Sequence, residues 1–255
     1  EQLDHRLGRR PDDGQLGIRG WEIGRQRVIL QSLALMSLPA ALAFFQPDLS
    51  TVIDLGIIWL TLIWAAGVPL RRLAVLAAVA LALVFVAWPF LAEYQQARVA
   101  TFLFPETEAQ LGLTYNVNQA LISIGSGGLF GQGYGNGTQV QLRFLKVRHT
   151  DFIFSVLAEE AGFVGVSMTL SVYLLLLWRM LETARLARDR LGAFLVAGVS
   201  AAFAFQVVYN VGMVAGLVPV KGLPLPLLSS GGSSVLASLI SVGLVLNVRM
   251  RRFPN

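Results

Sequence analysis

Six apolar segments, at about 28–45, 49–68, 73–91, 151–178, 191–217 and 227–247, constrain this chain more than any other feature. Each is long enough to cross a ~30 Å hydrocarbon core as a helix rising ~1.5 Å per residue. A segment in lipid must satisfy its own backbone hydrogen bonds, so helices are the spanning form to expect. Charge agrees with this. Only 14% of the residues are Asp, Glu, Lys or Arg, against roughly 25% in soluble domains. The expected fold class is all-α, a polytopic membrane bundle with about six transmembrane helices.

The connecting segments set an expected orientation. Arg6, Arg9, Arg10, Arg19, Arg25 and Arg27 precede the first apolar segment. Arg71 and Arg72 follow the second, Arg179, Arg185, Arg188 and Arg190 follow the fourth, and Arg249, Arg251 and Arg252 follow the sixth. These regions alternate along the chain, so all four fall on one side, which the positive-inside rule makes cytoplasmic. The net charge of +5 is thereby explained by membrane orientation, without a nucleic-acid partner. The expected organisation is a cytoplasmic Arg-rich lead at 1–27, three spans within 28–91 and a long extracytoplasmic loop at 92–150. Three more spans follow within 151–248, then a cytoplasmic tail at 249–255. The chain opens at Glu1 on this polar lead, which reads as a piece lacking an N-terminal part. There are no cysteines, so disulfides and thiolate metal sites are excluded. His5 and His149 are the only histidines, too few for a multi-histidine zinc site.

The 92–150 loop is longer than connections in compact proteins usually are, and its aromatic and aliphatic residues favour a folded or membrane-lying segment. Residues 116–124 are expected to form a short amphipathic helix. The run GSGGLFGQGYGNG (125–137) holds seven glycines. Its spacing fits neither a dinucleotide fingerprint nor a P-loop. It reads either as a flexible turn or as backbone N–H groups able to approach an anion.

HTD (149–151) lies where the fourth apolar segment begins. In the bland reading Thr150 is an N-cap and Asp151 sits in the first helical turn. In the functional reading Asp151 is an outer-face carboxylate among Arg143, Lys146, Arg148 and His149, suited to deprotonating a hydroxyl beside a phosphate. The cations and the helix dipole would lower its pKa and burial would raise it; the sequence leaves the winner open. Asp151, Ser155 and Glu159 share a helical face, and Glu159, Glu160 and Asp54 read either as packing polar groups or as lining of a wet cavity. PVKGLPLPLLSSGGSS (219–234) leads into the last apolar segment. It reads as close helix packing, or as an anion-binding helix start with Lys221, Ser233 and Ser234 beside it.

QPDLST (46–51), YQQAR (94–98), NQALISIGSGGLFGQGYGNGTQ (118–139), HTDFIFSVLAEEAG (149–162) and PVKGLPLPLLSSGGSS (219–234) occur together in the order found in the SEDS family of bacterial cell-wall proteins, RodA, FtsW and SpoVE. The chain resembles that family over nearly its whole length after residue 28, and GTQVQLRFL is most similar to the RodA branch. Ten spans are usual in the family, so the resemblance covers the last six. It implies a peptidoglycan glycosyltransferase that polymerises lipid II at the outer face of the plasma membrane, with undecaprenyl pyrophosphate leaving. It also implies Asp151 as catalytic residue, acting as general base or as ligand to a divalent cation (Mg or Mn). Arg143, Lys146, Arg148, His149, Gln119, Lys221, Ser233 and Ser234 would bind substrate, and Asp48, Glu159 and Glu160 would be polar cavity residues. A class B penicillin-binding protein is the partner implied. Lys146 and Val147 stand where the family often has Pro and Glu, which removes one carboxylate from any metal site. A lipid II flippase, with Glu159, Glu160, Asp54, Gln206 and Asn210 on a polar path, and a non-catalytic scaffold are the alternative readings.

Overall fold

The computed structural model describes residues 13–46, 48–90, 93–104, 111–142 and 150–251. Among them the regular elements are all helical. They run α1 (Asp13–Phe45), α2 (Leu49–Ala65), α3 (Leu70–Ala87), a 3-10 turn (Trp88–Phe90), α4 (Glu93–Leu103), α5 (Leu111–Gly127), α6 (Thr138–Gln141), α7 (Ile153–Arg185), α8 (Arg190–Val214) and α9 (Gly232–Met250). The all-helical expectation is met. Among the described residues three helices are by length and composition long and apolar enough to cross a membrane, α7, α8 and α9. The apolar part of α1, Ile29–Phe45, and all of α2 are shorter. At ~1.5 Å per residue, the 17 residues of α2 rise about 26 Å. Two features trim α2. Asp48 caps its start, its Oδ1 accepting from the Ser50 and Thr51 N–H groups (both 3.1 Å). The turn at Ala66–Gly67, with Gly67 at φ 86, ends it.

Helix α8 is the centre of the bundle, packed against α7, α2 and α9, while α1 covers α2 and α5 lies on α7. Two buried clusters hold this arrangement. Phe152, Phe154, Tyr173, Val207, Met213, Val214 and Leu225, with Ala120 of α5, form the one beside the loops. Met180, Val196, Phe203 and Val245 form the other, between α7, α8 and α9. The helices remain apolar on their outer faces. Trp178, Leu174, Leu191, Val208 and Leu236 are exposed, as the lipid-facing side of a bundle should be.

The long loop carries α4, α5 and α6. The amphipathic helix expected at 116–124 is α5, and it is longer at both ends. It is tied to the bundle through α7: a Cβ on Gly127 would lie 1.9 Å from the Ala158 carbonyl oxygen, so the two backbones meet there.

Candidate functional site

Asp151 lies in a turn, not in a helix. Thr150, Asp151 and Phe152 precede Ile153, and Phe152 occupies the N-cap of α7 without a side-chain cap bond. Thr150 as N-cap and Asp151 in the first helical turn are therefore corrected. The physical reason is the strap between α8 and α9, which holds the turn away from helical geometry. Ser229 Oγ donates to the Thr150 carbonyl (2.7 Å) and accepts from the Leu225 N–H (2.7 Å). Asn210 Nδ2 donates to the Asp151 carbonyl (3.0 Å) and to the Leu223 carbonyl (2.7 Å). Asn210 and Ser229 are buried, where a made hydrogen bond matters most because an unmade one costs about 1–3 kcal/mol.

The strap also brings cationic charge. A Cβ on Gly222 would lie 3.4 Å from Asp151 Oδ2, so the carboxylate faces the strap backbone one residue from Lys221. Lys221 Nζ sits 5.8 Å from the Tyr209 ring centre, and its backbone N–H donates to Met213 Sδ (3.3 Å). Tyr209 is held in turn by donating to the Pro219 carbonyl (2.9 Å). Burial pushes the Lys221 ammonium down to about 8, with Arg98 of α4 adding repulsion and Asp48 opposing both. Burial also raises the Asp151 carboxyl, against a hydrogen bond from Thr150 and attraction from Arg98. Among the described groups, burial outweighs the Thr150 hydrogen bond and Arg98 and holds the Asp151 carboxyl above the ordinary carboxylate range.

A cavity of about 670 Å³ opens beside this cluster, between α2, α8 and α9. Its lining includes Asp48, Gly222, Ser233 and Ser234 at the strap end, then Asp54 and Gln206, then Ile58, Leu62 and Leu195 along the helices. Gln206 Nε2 donates to Asp54 Oδ2 (2.8 Å), and Asp54 Oδ1 is buried without a partner. The cavity is thus polar at its mouth and largely apolar along α2 and α8, with Ser238 and Ser241 of α9 on the facing side. Such a shape suits an amphiphile with a polar head near Asp151 and Lys221 and a chain among the helices.

Glu159 and Glu160 do not line that cavity. They grip the glycine-rich run. Glu159 is fully buried, and its Oε1 accepts from the Gln139 N–H (2.8 Å) and from Thr138 Oγ1 (3.4 Å). Its carboxylate packs so closely on Gly137 that a Cβ there would lie 2.8 Å from Cδ. Glu160 Oε1 accepts from the Gly135 N–H (3.1 Å). Their carbonyls accept from the Gln132 (2.9 Å) and Gly133 (3.0 Å) N–H groups. The carboxyl group that this glycine run meets is the protein's own Glu160. The grip is possible because α7 breaks at Gly162 (φ 63, ψ −165), which frees the Phe163 and Val164 N–H groups to donate to the Gly128 (2.9 Å) and Leu129 (3.1 Å) carbonyls.

Of the residues singled out in the sequence, Asp48, Ser233 and Ser234 line the cavity, and Asp151 lies beside it against Gly222, next in sequence to Lys221. Gln119 is half-buried on α5, away from the cavity lining. Arg143, Lys146, Arg148 and His149 lie outside the described residues. Three contributors escaped the sequence reading of the site. Arg98 stood inside YQQAR with nothing to mark its target. Tyr209 and Asn210 belong to an apolar helix; Asn210 stood out only as a candidate for a translocation path, and its role in holding the Asp151 turn comes from its position opposite the strap. Among the described residues no three Asp, Glu, His or Cys side chains gather as metal ligands. Asp48 and Asp151 share their surroundings with Lys221 and Arg98. Among the described residues, two carboxylates beside two cations do not make a site for a divalent ion held by protein ligands alone.

Comparison with known proteins places this geometry in context. Residues 16–253 match the family described as "Cell cycle protein", that of FtsW, RodA and SpoVE. The chain is 40% identical over 222 residues to Escherichia coli (strain K12) "Peptidoglycan glycosyltransferase MrdB", covering 87% of this chain and 60% of that protein. It thus spans less than two thirds of that relative. A chain from a structure described as "Structural coordination of polymerization and crosslinking by a peptidoglycan synthase complex" superposes with a TM-score of 0.73 at 35% identity, over 88% of this chain and 62% of the other. The crystal structure of Thermus thermophilus "Rod shape determining protein RodA" matches with a TM-score of 0.56 at 33% identity, over 88% and 58%.

Proposed function

Because the chain belongs to the FtsW, RodA and SpoVE family of cell cycle proteins, we propose that it carries the catalytic site of a peptidoglycan glycosyltransferase. The reaction is polymerisation of lipid II at the outer face of the plasma membrane during cell elongation. The observation that carries this reading is the arrangement at the strap: the Asp151 carboxylate against Gly222, Arg98 acting on both Asp151 and Lys221, and an amphiphilic cavity that Gly222 lines.

Asp151 takes the proton from the acceptor sugar hydroxyl as that oxygen attacks the anomeric carbon of the donor. The bond from that carbon to the pyrophosphate oxygen breaks with inversion, and the electron pair leaves with undecaprenyl pyrophosphate. Lys221, together with Arg98, meets the charge that develops on the leaving group. Ser233 and Ser234 offer hydroxyls at the same mouth, and the lipid chain runs along Ile58, Leu62 and Leu195. The orientation with both ends of this chain cytoplasmic puts Asp151 outside, where the sugar substrate resides. A class B penicillin-binding protein is the proposed partner. The similarity to a chain of a synthase complex that coordinates polymerization and crosslinking supports it.

Asp54, Gln206, Ser238 and Ser241 along the cavity favour a second reading, a translocation path for a lipid-linked precursor. One experiment separates the two. The full-length protein and its partner are reconstituted in vesicles with lipid II, and glycan polymer and lipid translocation are both measured. Asp151→Asn is expected to reconstitute normally and make no polymer. Polymer from that variant refutes the role of Asp151, and translocation without polymer in the wild type refutes the glycosyltransferase.

A further inference from the structure

At the opposite end of the bundle from Asp151, the C-terminal ends of α2 and α7 and the start of α8 enclose a second groove of about 990 Å³. Its walls are apolar, with Leu181 and Phe194, and its floor is built from small residues at the α2–α3 turn. Trp64 and Trp178 flank it, both more than half exposed. Neither indole N–H has a hydrogen-bond partner among the described residues. Tryptophans so placed on a membrane helix sit at headgroup level, with the ring body apolar and the N–H toward polar groups.

The charge on this rim is unbalanced. Glu182, the one acidic residue of the lining, is already engaged by Arg179 (3.1 Å) and Arg249 (3.7 Å). Asp189, next to the groove, is occupied as the cap of α8, accepting from the Gly192 N–H (3.2 Å). Arg185 and Arg190 both line the groove, and neither has an acidic partner among the described residues. An apolar slot with aromatic gateposts and two arginines left over on its rim calls for a ligand with an acyl chain and an anionic head.

We propose that this groove binds an anionic phospholipid, its phosphate between Arg185 and Arg190 and one acyl chain in the slot beside Leu181 and Phe194. The lipid comes from the leaflet on the arginine-rich side, which the positive-inside rule makes cytoplasmic. Basic pockets between transmembrane helices on that side are the recurrent form of such sites. The site is separate from the glycosyltransferase reading and does not depend on it. Each arginine near an anionic membrane surface is worth about 1 kcal/mol, a factor of about five, so the pair should supply roughly 25-fold preference over a zwitterionic lipid.

The test uses the full-length protein in nanodiscs or detergent, titrated with phosphatidylglycerol and with phosphatidylcholine of the same chains, and retained lipid is read by native mass spectrometry. Wild type should retain phosphatidylglycerol with a preference on the order of 25-fold. The Arg185→Gln/Arg190→Gln pair should abolish the preference, and the Arg185→Lys/Arg190→Lys pair should keep most of it. Trp64→Ala/Trp178→Ala should shorten retention of both lipids. Equal retention of the two lipids by wild type overturns the proposal, as it would if another part of the longer protein filled the groove. An unchanged preference in the Gln pair overturns it too. So does displacement of the lipid by a tenfold excess of inorganic phosphate, which would mark a bare anion site.

Discussion

Gly162→Ala tests the grip of α7 on the glycine-rich run, and its size follows from the geometry. At φ 63 and ψ −165, the residue occupies a region that is essentially glycine-only and costs other residues about 1–3 kcal/mol. The added Cβ would also lie 2.3 Å from the Gly131 nitrogen and 2.8 Å from the Leu129 carbonyl carbon and oxygen. All three are backbone atoms, so no rotamer change relieves the clash. The run must move off instead, giving up the bonds from Phe163 to Gly128, Val164 to Leu129, Gln132 to Glu159 and Gly133 to Glu160. At roughly 1 kcal/mol net each, undocking costs about 4 kcal/mol. The docked variant carries the backbone strain plus three backbone overlaps, together comparable to about 4 kcal/mol, so the docked-to-undocked ratio should fall by a factor on the order of 10³ relative to wild type. Amide hydrogen exchange at 128–135 and at Phe163 and Val164 reads this directly. The expected result is protection in wild type and near-complete loss of it in Gly162→Ala. Gly125→Ala is the matched control, because a Cβ there meets nothing within 4 Å and helical alanine is favoured by about 1 kcal/mol. Protection in Gly162→Ala within threefold of wild type would refute the clamp.

Two pH predictions concern the strap. The Lys221 ammonium, pushed down to about 8, is charged below that pH and neutral above it, so kcat/KM for polymerisation should fall as pH rises through about 8. Lys221→Arg should remove that alkaline limb, because arginine stays charged, while Lys221→Met should lower kcat by roughly 10²–10³ throughout. Asp151 contributes in the opposite sense to stability. Its folded carboxyl is raised by burial, so the folded state binds its proton more tightly than the unfolded chain does, and stability falls as pH rises from the ordinary carboxylate value through the raised one. Asp151→Asn should therefore melt higher than wild type at neutral pH. The gain should vanish once the pH is acid enough to protonate Asp151 in both states, and a constant gain at every pH would contradict the burial argument.

Much of the fold was legible from the chain alone. Long uncharged runs in lipid have one economical answer, the helix. Acidic residues among such runs are rare enough to draw notice by themselves, as Asp54, Asp151, Glu159 and Glu160 do. Their surroundings were not legible, because those come from segments far apart in sequence. Asp151 reads as a helix-start residue until Ser229, 79 positions beyond Thr150, and Asn210 pull its turn out of the helix. The direction of its pKa depended on how deeply that turn is buried against the strap, a tertiary quantity. Glu159 and Glu160 were legible as costly charges, but whether they faced a cavity or a loop depended on the break at Gly162, which a glycine permits and only packing requires. Helix type and membrane placement follow from local hydrophobicity and backbone bonding, which the sequence carries residue by residue. The basicity of Asp151 and the partners of its neighbours follow from which distant segments exclude water together, and that only the tertiary structure decided.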